Sequence, residues 1–262
     1  MIDAYQKLLA GLSALRLDAM RGSLDNVIDR INSGELTFME GLSVLVQIQV
    51  AESQRRRVES VISTAHFPSR MTFDSFDFSF QPELNRNEVL DLKTLRFMDT
   101  CSNVIFLGLP GVGKTHLAVA AGMEAASQGR TVYFINCLDL IASLKKAQSE
   151  NRLEYKLRNY ASYSLLIIDE VGFLPMDREA GNLMFQLIAR RYEKKSTIIT
   201  SNKSLSTWGE LFGESMVANA ILDRLVHHSK IFRITGPSFR TKGLTKDAAS
   251  ASLPPIGGND KH

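Results

Sequence analysis

Residues 108–115 read Gly108-Leu109-Pro110-Gly111-Val112-Gly113-Lys114-Thr115. They fit the pattern G-x-x-x-x-G-K-S/T, a loop built to cradle phosphates. The glycines let the backbone curl so that successive N–H groups aim at phosphate oxygens, where a Cβ would obstruct them. Lys114 adds positive charge beside the β- and γ-phosphates, and Thr115 offers a hydroxyl to Mg²⁺. His116 continues into a helix whose N-terminus again favours anions, so residues 108–116 form the expected nucleotide-binding set. A second group is Asp169 and Glu170, which close the apolar run Leu165-Leu166-Ile167-Ile168. Open α/β sheets bind ligands at the carboxyl ends of their strands. There Asp169 is expected to hold Mg²⁺ and Glu170 to polarise an attacking water. Asn202 ends the run Ser196-Thr197-Ile198-Ile199-Thr200-Ser201. Its amide either positions that water or caps the following turn. Arg224 lies beside the apolar stripe of a helical segment. It reads either as a solvated helix arginine or as a finger delivered to a neighbouring subunit's nucleotide. The chemistry implied is hydrolysis of ATP with Mg²⁺.

Those residues need a scaffold, and the chain alternates in a way that supplies one. Strand patterns at 103–109, 131–136, 164–170, 196–202 and 230–236 are separated by helical patterns at 114–127, 138–160, 177–194 and 214–226. Such alternation predicts an α/β fold with a parallel sheet flanked by helices. The unbroken apolar run before Asp169 predicts a strand covered on both faces. Residues 1–65 carry no strand signal. Ile2, Tyr5, Leu8, Leu9, Leu12 and Leu15 make one helical stripe, and Leu24, Val27, Ile28 and Ile31 a second. Thr37 stands three residues before Glu40, a capping box that opens a longer helix carrying Leu42, Leu45, Val46, Val58 and Ile62. The domain boundaries expected are a helical N-terminal domain over 1–65 and an ATPase domain over 66–242. Within the latter, 66–87 is an aromatic-rich segment (Phe73, Phe76, Phe78, Phe80) expected to pack against the domain that follows rather than hang free. Residues 243–262 read as a disordered tail.

The 262 residues are 44% hydrophobic and 23% charged, with a formal net charge of +3. That suits one α/β domain plus a small accessory piece. The mild basic excess permits nucleic-acid binding without demonstrating it. Within 138–160, Lys145, Lys146, Arg152, Lys156 and Arg158 are interspersed with Asp139, Glu150 and Glu154. They read as a phosphate-contacting face or as an ordinary solvated one, and Arg55-Arg56-Arg57 has the same two readings. Cys101 and Cys137 lack C-x-x-C spacing, and His227-His228 has no second pair at ligand spacing, so no metal site made of side chains alone is expected. No stretch reaches the ~18 apolar residues of a membrane span and no leader pattern opens the chain, which predicts a cytoplasmic protein with no membrane partner.

Taken together, GLPGVGKT, LLIIDE, ITSN and DRL resemble the AAA+ ATPases of the replication-initiator and helicase-loader clade. The segments FDFSFQPELNR, LGLPGVGKTHLA, LIIDEVGFLP, TSNKSLSTWGELFG and ILDRLVHHSKIFRITGPSFR narrow the resemblance to the IstB family, ATPases encoded beside the transposase of one group of bacterial insertion sequences. The resemblance spans about residues 1–242. It implies that Lys114 and Thr115 match Walker A, Asp169 and Glu170 Walker B, Asn202 sensor 1 and Arg224 the arginine finger. Arg240 falls where loaders carry a sensor 2 arginine. Residues 138–160 match a helical insertion whose cations would face duplex DNA in a ring or spiral of subunits. The chain departs from other AAA+ proteins in one respect: too little ordered sequence is expected after Ile234 to build a C-terminal helical lid. The function implied is a DNA-dependent ATPase that assembles on duplex DNA with ATP and Mg²⁺ and regulates a partner transposase. Three other readings compete: a loader of a hexameric replicative helicase, a nucleotide-gated scaffold without turnover, and a metabolic P-loop kinase.

Overall fold

The structure is a computed structural model and describes residues 2–212 and 215–241. The chain divides into two compact units, residues 1–61 and 62–262.

The first unit holds α1 (Ile2–Ala14), α2 (Asp18–Asn32) and most of α3 (Phe38–Thr64). Leu12, Leu24, Val27 and Leu45 form its core, with Tyr5, Leu9, Ile28 and Ile31 packed around them. The capping box closes as the spacing requires. The Thr37 N–H donates to Glu40 Oε2 at 2.7 Å, and the Glu40 N–H donates back to Thr37 Oγ1 at 3.3 Å. The apolar stripes are wider than the contact they make. Leu8, Leu15, Leu42 and Val46 stay exposed, because three helices of this size have little facing surface to cover them. Arg55 and Arg56 both turn onto Glu52, at 2.8 and 2.7 Å. Those two hydrogen bonds pull the Glu52 carboxyl down to about 2.

The second unit begins with an irregular segment in which Phe73 and Phe76 are buried, followed by α4 (Arg86–Asp91) and α5 (Arg96–Asp99). Then come β1 (Asn103–Gly108), α6 (Lys114–Ser127), β2 (Val132–Asn136), α7 (Cys137–Ser149), α8 (Leu153–Ser162) and β3 (Leu165–Val171). The chain continues through α9 (Arg178–Arg191), β4 (Ser196–Ser201), α10 (Trp208–Leu211), α11 (Ser215–Val226) and β5 (Ser229–Ile234). The five strands make one sheet in the order β2-β3-β4-β1-β5, and every pairing is parallel.

Side chains alternate across a strand, so the sheet has two apolar faces. Ile105, Leu107, Leu166, Ile168 and Ile199 pack with Leu140 and Leu144 of α7, Leu183 and Leu187 of α9, and Ile221 and Leu225 of α11. The opposite face carries α6. Gly122 of that helix lies so close to the sheet that a Cβ would meet Ile167 Cδ1 at 2.7 Å. The stretch read as helical over 138–160 is two helices. Asn151 takes a left-handed φ of 56°, which ends α7 and redirects the chain into α8. Among the described residues, no helix is long and apolar enough to cross a membrane. The expectations of a disordered tail and of a missing lid concern residues beyond 241, outside those described.

Candidate functional site

Parallel pairing brings the ends of β1, β3 and β4 to one edge of the sheet, and the motif residues follow them. Gly108 closes β1 with φ +156°, and a Cβ there would strike Ile234 O at 2.2 Å. Gly113 has φ +98°, and its missing Cβ makes room for the Phe76 ring, which would lie 2.5 Å away. The loop is thus seated between the aromatic segment and β5, positions where any other residue must strain or shift. Lys114 then opens α6. Its ammonium donates to Gly108 O at 2.6 Å and Leu109 O at 2.8 Å, which folds the side chain back along the loop. Burial lowers its pKa, partly offset by Asp169.

Asp169 is buried at 6% exposure, whereas Glu170 beside it is exposed. Consecutive strand residues point to opposite faces, so a regular strand would separate the two carboxylates. A register shift between Ile168 and Val171 prevents that. Glu170 sits in this bulge with φ +58°, a left-handed conformation uncommon for a residue with a Cβ. Bulges of this kind re-aim side chains at functional sites. Thr115 Oγ1 donates to the two Asp169 carboxylate oxygens at 3.0 and 3.1 Å. A hydroxyl and a carboxylate held together are hard oxygen donors of the type Mg²⁺ requires, so this pair fits the ion.

Two residues that the sequence reading did not single out complete the arrangement. β4 lies between β1 and β3, so the end of β4 faces Asp169 directly. There Thr200, fully buried, donates through Oγ1 to Asp169 Oδ1 at 2.5 Å and accepts the Glu170 N–H at 2.9 Å. Burial raises the Asp169 pKa, and the two threonine hydroxyls oppose that shift. At the end of β2, Asn136 is paired in register with Asp169. Its Oδ1 caps α7 by accepting the Leu138 N–H at 2.9 Å, and its Nδ2 donates to Glu170 Oε2 at 2.7 Å. Each had a faint signal in the sequence: a hydroxyl inside an apolar strand, and a polar residue closing one.

These groups line a cavity of about 710 Å³ that also includes Pro110–Thr115, His116, Asn202, Phe76, Phe80, Phe239 and Arg240. Gly108 and Leu109 do not line it and act through their carbonyls. His116 Nε2 lies 2.9 Å from Thr72 O and 3.1 Å from Ser75 Oγ, toward the aromatic segment. Asn202 Oδ1 is buried without a hydrogen-bond partner. Arg240 is brought to the cavity because the Phe239 N–H donates to Gly111 O at 2.9 Å.

The other candidates lie elsewhere. Arg224, half-buried on α11, donates to Ala220 O at 3.0 Å and rests 4.9 Å over the Phe185 ring. It is absent from the lining of its own chain's cavity. Lys145 is held by Asp177 at 2.5 Å and Glu179 at 3.5 Å, which ties α7 to the start of α9. Arg158 pairs loosely with Glu154 at 3.9 Å. Lys156 lies 5.1 Å over the Tyr160 ring. Lys146 and Arg152 are exposed.

Comparison with known proteins places the chain in a family. The family described as IstB-like ATP binding protein matches residues 10–247. A Bacillus thuringiensis protein named for insertion sequence IS232 and for ATP binding is 45% identical over 242 residues, 92% of this chain and 97% of its own. The corresponding IS21 protein of Pseudomonas aeruginosa is 44% identical over 235 residues, 90% of this chain and 89% of its own. Among solved structures, the DnaC helicase loader aligns with a TM-score of 0.50 and 26% identity, covering 62% of this chain and 96% of that one. DnaA from Aquifex aeolicus, bound to AMPPCP, aligns at 0.55 with 22% identity, covering 70% and 56%. The DnaA match speaks to the fold alone.

Proposed function

This chain belongs to the IstB-like ATP binding protein family, with the AAA+ P-loop fold, and from that premise we propose that it hydrolyses ATP to control its assembly on duplex DNA and thereby regulates a partner transposase. One observation carries the ATPase reading: a single cavity gathers Lys114, Thr115, Asp169, Glu170 and Asn202 from three separate strand ends.

In this reading the loop amides of 110–115 hold the β- and γ-phosphates, and Lys114 leaves its two carbonyl partners to pair with them. Thr115 and Asp169 hold Mg²⁺, which when bound neutralises phosphate charge. Glu170 accepts the proton of the attacking water, and Asn202 turns that water toward the γ-phosphate. Asn136 holds Glu170 by one carboxylate oxygen, so the base is oriented before nucleotide arrives. Arg224 serves a neighbouring subunit, which accounts for its place outside its own cavity. Arg240 adds charge beside the phosphates. Homo-oligomers are therefore part of the catalytic unit.

Duplex DNA and the transposase are the partners proposed, on the strength of the insertion-sequence relatives. DNA contact is assigned to the exposed Lys146 and Arg152, with Lys156 and Arg158 beside them, and to a smaller degree to Lys145, whose ammonium is already paired. Such contacts address phosphates rather than bases. The second reading, a loader of a replicative helicase, is favoured by the DnaC likeness.

Steady-state ATP hydrolysis without DNA, with long duplex and with single strands separates these. Stimulation mainly by duplex is expected. Stimulation by single strands alone transfers the proposal to helicase loading, and equal rates in all three conditions remove DNA from the mechanism. Glu170→Gln is expected to bind ATP normally while losing on the order of 10²–10⁴ in kcat. Unchanged behaviour of that variant in every assay would leave only a nucleotide-gated scaffold.

A further inference from the structure

His227 and His228 stand at the turn between α11 and β5, away from the nucleotide cavity. In the sequence they have no partner at ligand spacing. The fold supplies one in Glu193, two residues past the end of α9, where a left-handed φ of 54° turns the chain. One ligand atom from each of Glu193, His227 and His228 lies within 4.8 Å of the other two. His228 Nε2 is already 3.5 Å from Glu193 Oε1. A tetrahedral ion with bonds of ~2.0–2.1 Å to nitrogen or oxygen spaces its ligand atoms ~3.3 Å apart. One edge of such a tetrahedron is therefore close to that length, and the other two are within 4.8 Å.

Two further features suit the same role. His227 Nδ1 lies 2.8 Å from the Tyr192 hydroxyl, which fixes the ring and leaves Nε2 free. Ligating histidines commonly have their second nitrogen engaged in this way. The backbone beneath is anchored: the His227 N–H donates to Asp223 O at 3.1 Å, and His228 O accepts the Asn103 N–H at 2.7 Å. The two imidazoles also lie on one side of the turn, with ring centroids 4.1 Å apart.

We propose that Glu193, His227 and His228 form a site for a divalent transition metal, with Zn²⁺ as the best-matched ion and Tyr192 as the residue that orients His227. Two imidazoles and a carboxylate suit Zn²⁺ and its neighbours and not Mg²⁺, which takes oxygen ligands. The site is thus chemically separate from the Thr115–Asp169 pair. All three side chains are exposed, so an ion has an open path and room for a water as fourth ligand. Bound there, it joins the end of α9 to the α11–β5 turn, three residues past Arg224.

The test uses the full chain, stripped of metal and free of nucleotide, titrated with Co²⁺ and then with Zn²⁺. One equivalent of Co²⁺ is expected to give a visible ligand-field band that Zn²⁺ displaces, and Zn²⁺ to raise Tm. His227→Ala, His228→Ala and Glu193→Gln should each lose the band while keeping the parent's circular dichroism, since none of the three is buried. Tyr192→Phe should weaken binding about tenfold. Cys101→Ser and Lys114→Ala should leave it unchanged. No cobalt band in the parent, a band that survives His227→Ala and His228→Ala together, or a band lost in Cys101→Ser would each overturn the proposal.

Discussion

Asp169 carries a burial cost that Thr115 and Thr200 only partly offset, and its pKa is raised as a result. A carboxyl whose folded pKa exceeds its unfolded value binds protons more tightly in the native state. Its charge therefore lowers stability as pH rises through that window, and the full cost is present at neutral pH. Asp169→Asn is expected to raise the Tm of the nucleotide-free protein at pH 7 and to abolish stabilisation by Mg²⁺ with ATP, both read by thermal denaturation. In the parent, that ATP-dependent stabilisation should fade on acidification, because a protonated Asp169 no longer holds the ion. Thr200 holds both acids through one hydroxyl. Thr200→Val removes the hydroxyl that donates to the buried Asp169 carboxylate and accepts the Glu170 N–H, at a cost of about 1–3 kcal/mol. Urea denaturation should show that loss, with Thr200→Ser close to the parent.

Elements decide which residues meet. With β4 between β1 and β3, the loop after β1 and the acids of β3 are one strand apart; Thr115 spans that gap by donating directly to Asp169, and Thr200 of β4 braces the same carboxylate from between. The bulge at Glu170 matters as much, since a regular β3 would turn one of the two carboxylates away. On the far side of the sheet, Arg191 closes α9 in full burial at 1% exposure. Its guanidinium donates to the carbonyls of Tyr160, Ala161 and Tyr163 near the end of α8, to Ser196 O, and to Thr197 Oγ1. A cation at helix C-terminal carbonyls is favourable, and here it also locks α8 and α9 to the start of β4. Arg191→Leu strips those buried acceptors of their donor and should destabilise by about 1–3 kcal/mol or more, measured by chemical denaturation.

For the whole molecule, the placement of Arg224 makes a prediction about subunits. Arg224→Ala and Lys114→Ala should each be inactive, the former with a loss of about 10³-fold in kcat and intact ATP binding. Mixed together, they should recover measurable hydrolysis, because one supplies the intact loop and the other the intact arginine. Failure of the mixture would place Arg224 in a structural role over Phe185. DNA affinity should fall steeply with salt, and Lys146→Ala should reduce the log–log slope by about one while Lys145→Ala reduces it less, as titrations at several salt concentrations would show.

The phosphate loop was legible because its chemistry is local. Glycines, a lysine and a threonine stand at fixed spacing within eight residues, and the alternation around them declares a parallel sheet. Asp169 and Glu170 were legible as a pair for the same reason, since they are adjacent and close an apolar run. Thr200 and Asn136 were not, because their importance comes from strand order and register, which no local pattern records. The division of 138–160 into two helices turned on one left-handed residue, Asn151, that periodicity does not register. Lys145 read as a free cation until packing placed Asp177 and Glu179 against it. Glu193 lies more than thirty residues from the histidines beside it in the fold, and no local pattern marks Arg191 as buried. Sequence alone determined the chemistry that short-range spacing can encode. Tertiary structure decided which distant groups share a buried space, because burial, pairing and desolvation belong to the folded neighbourhood and not to the residue.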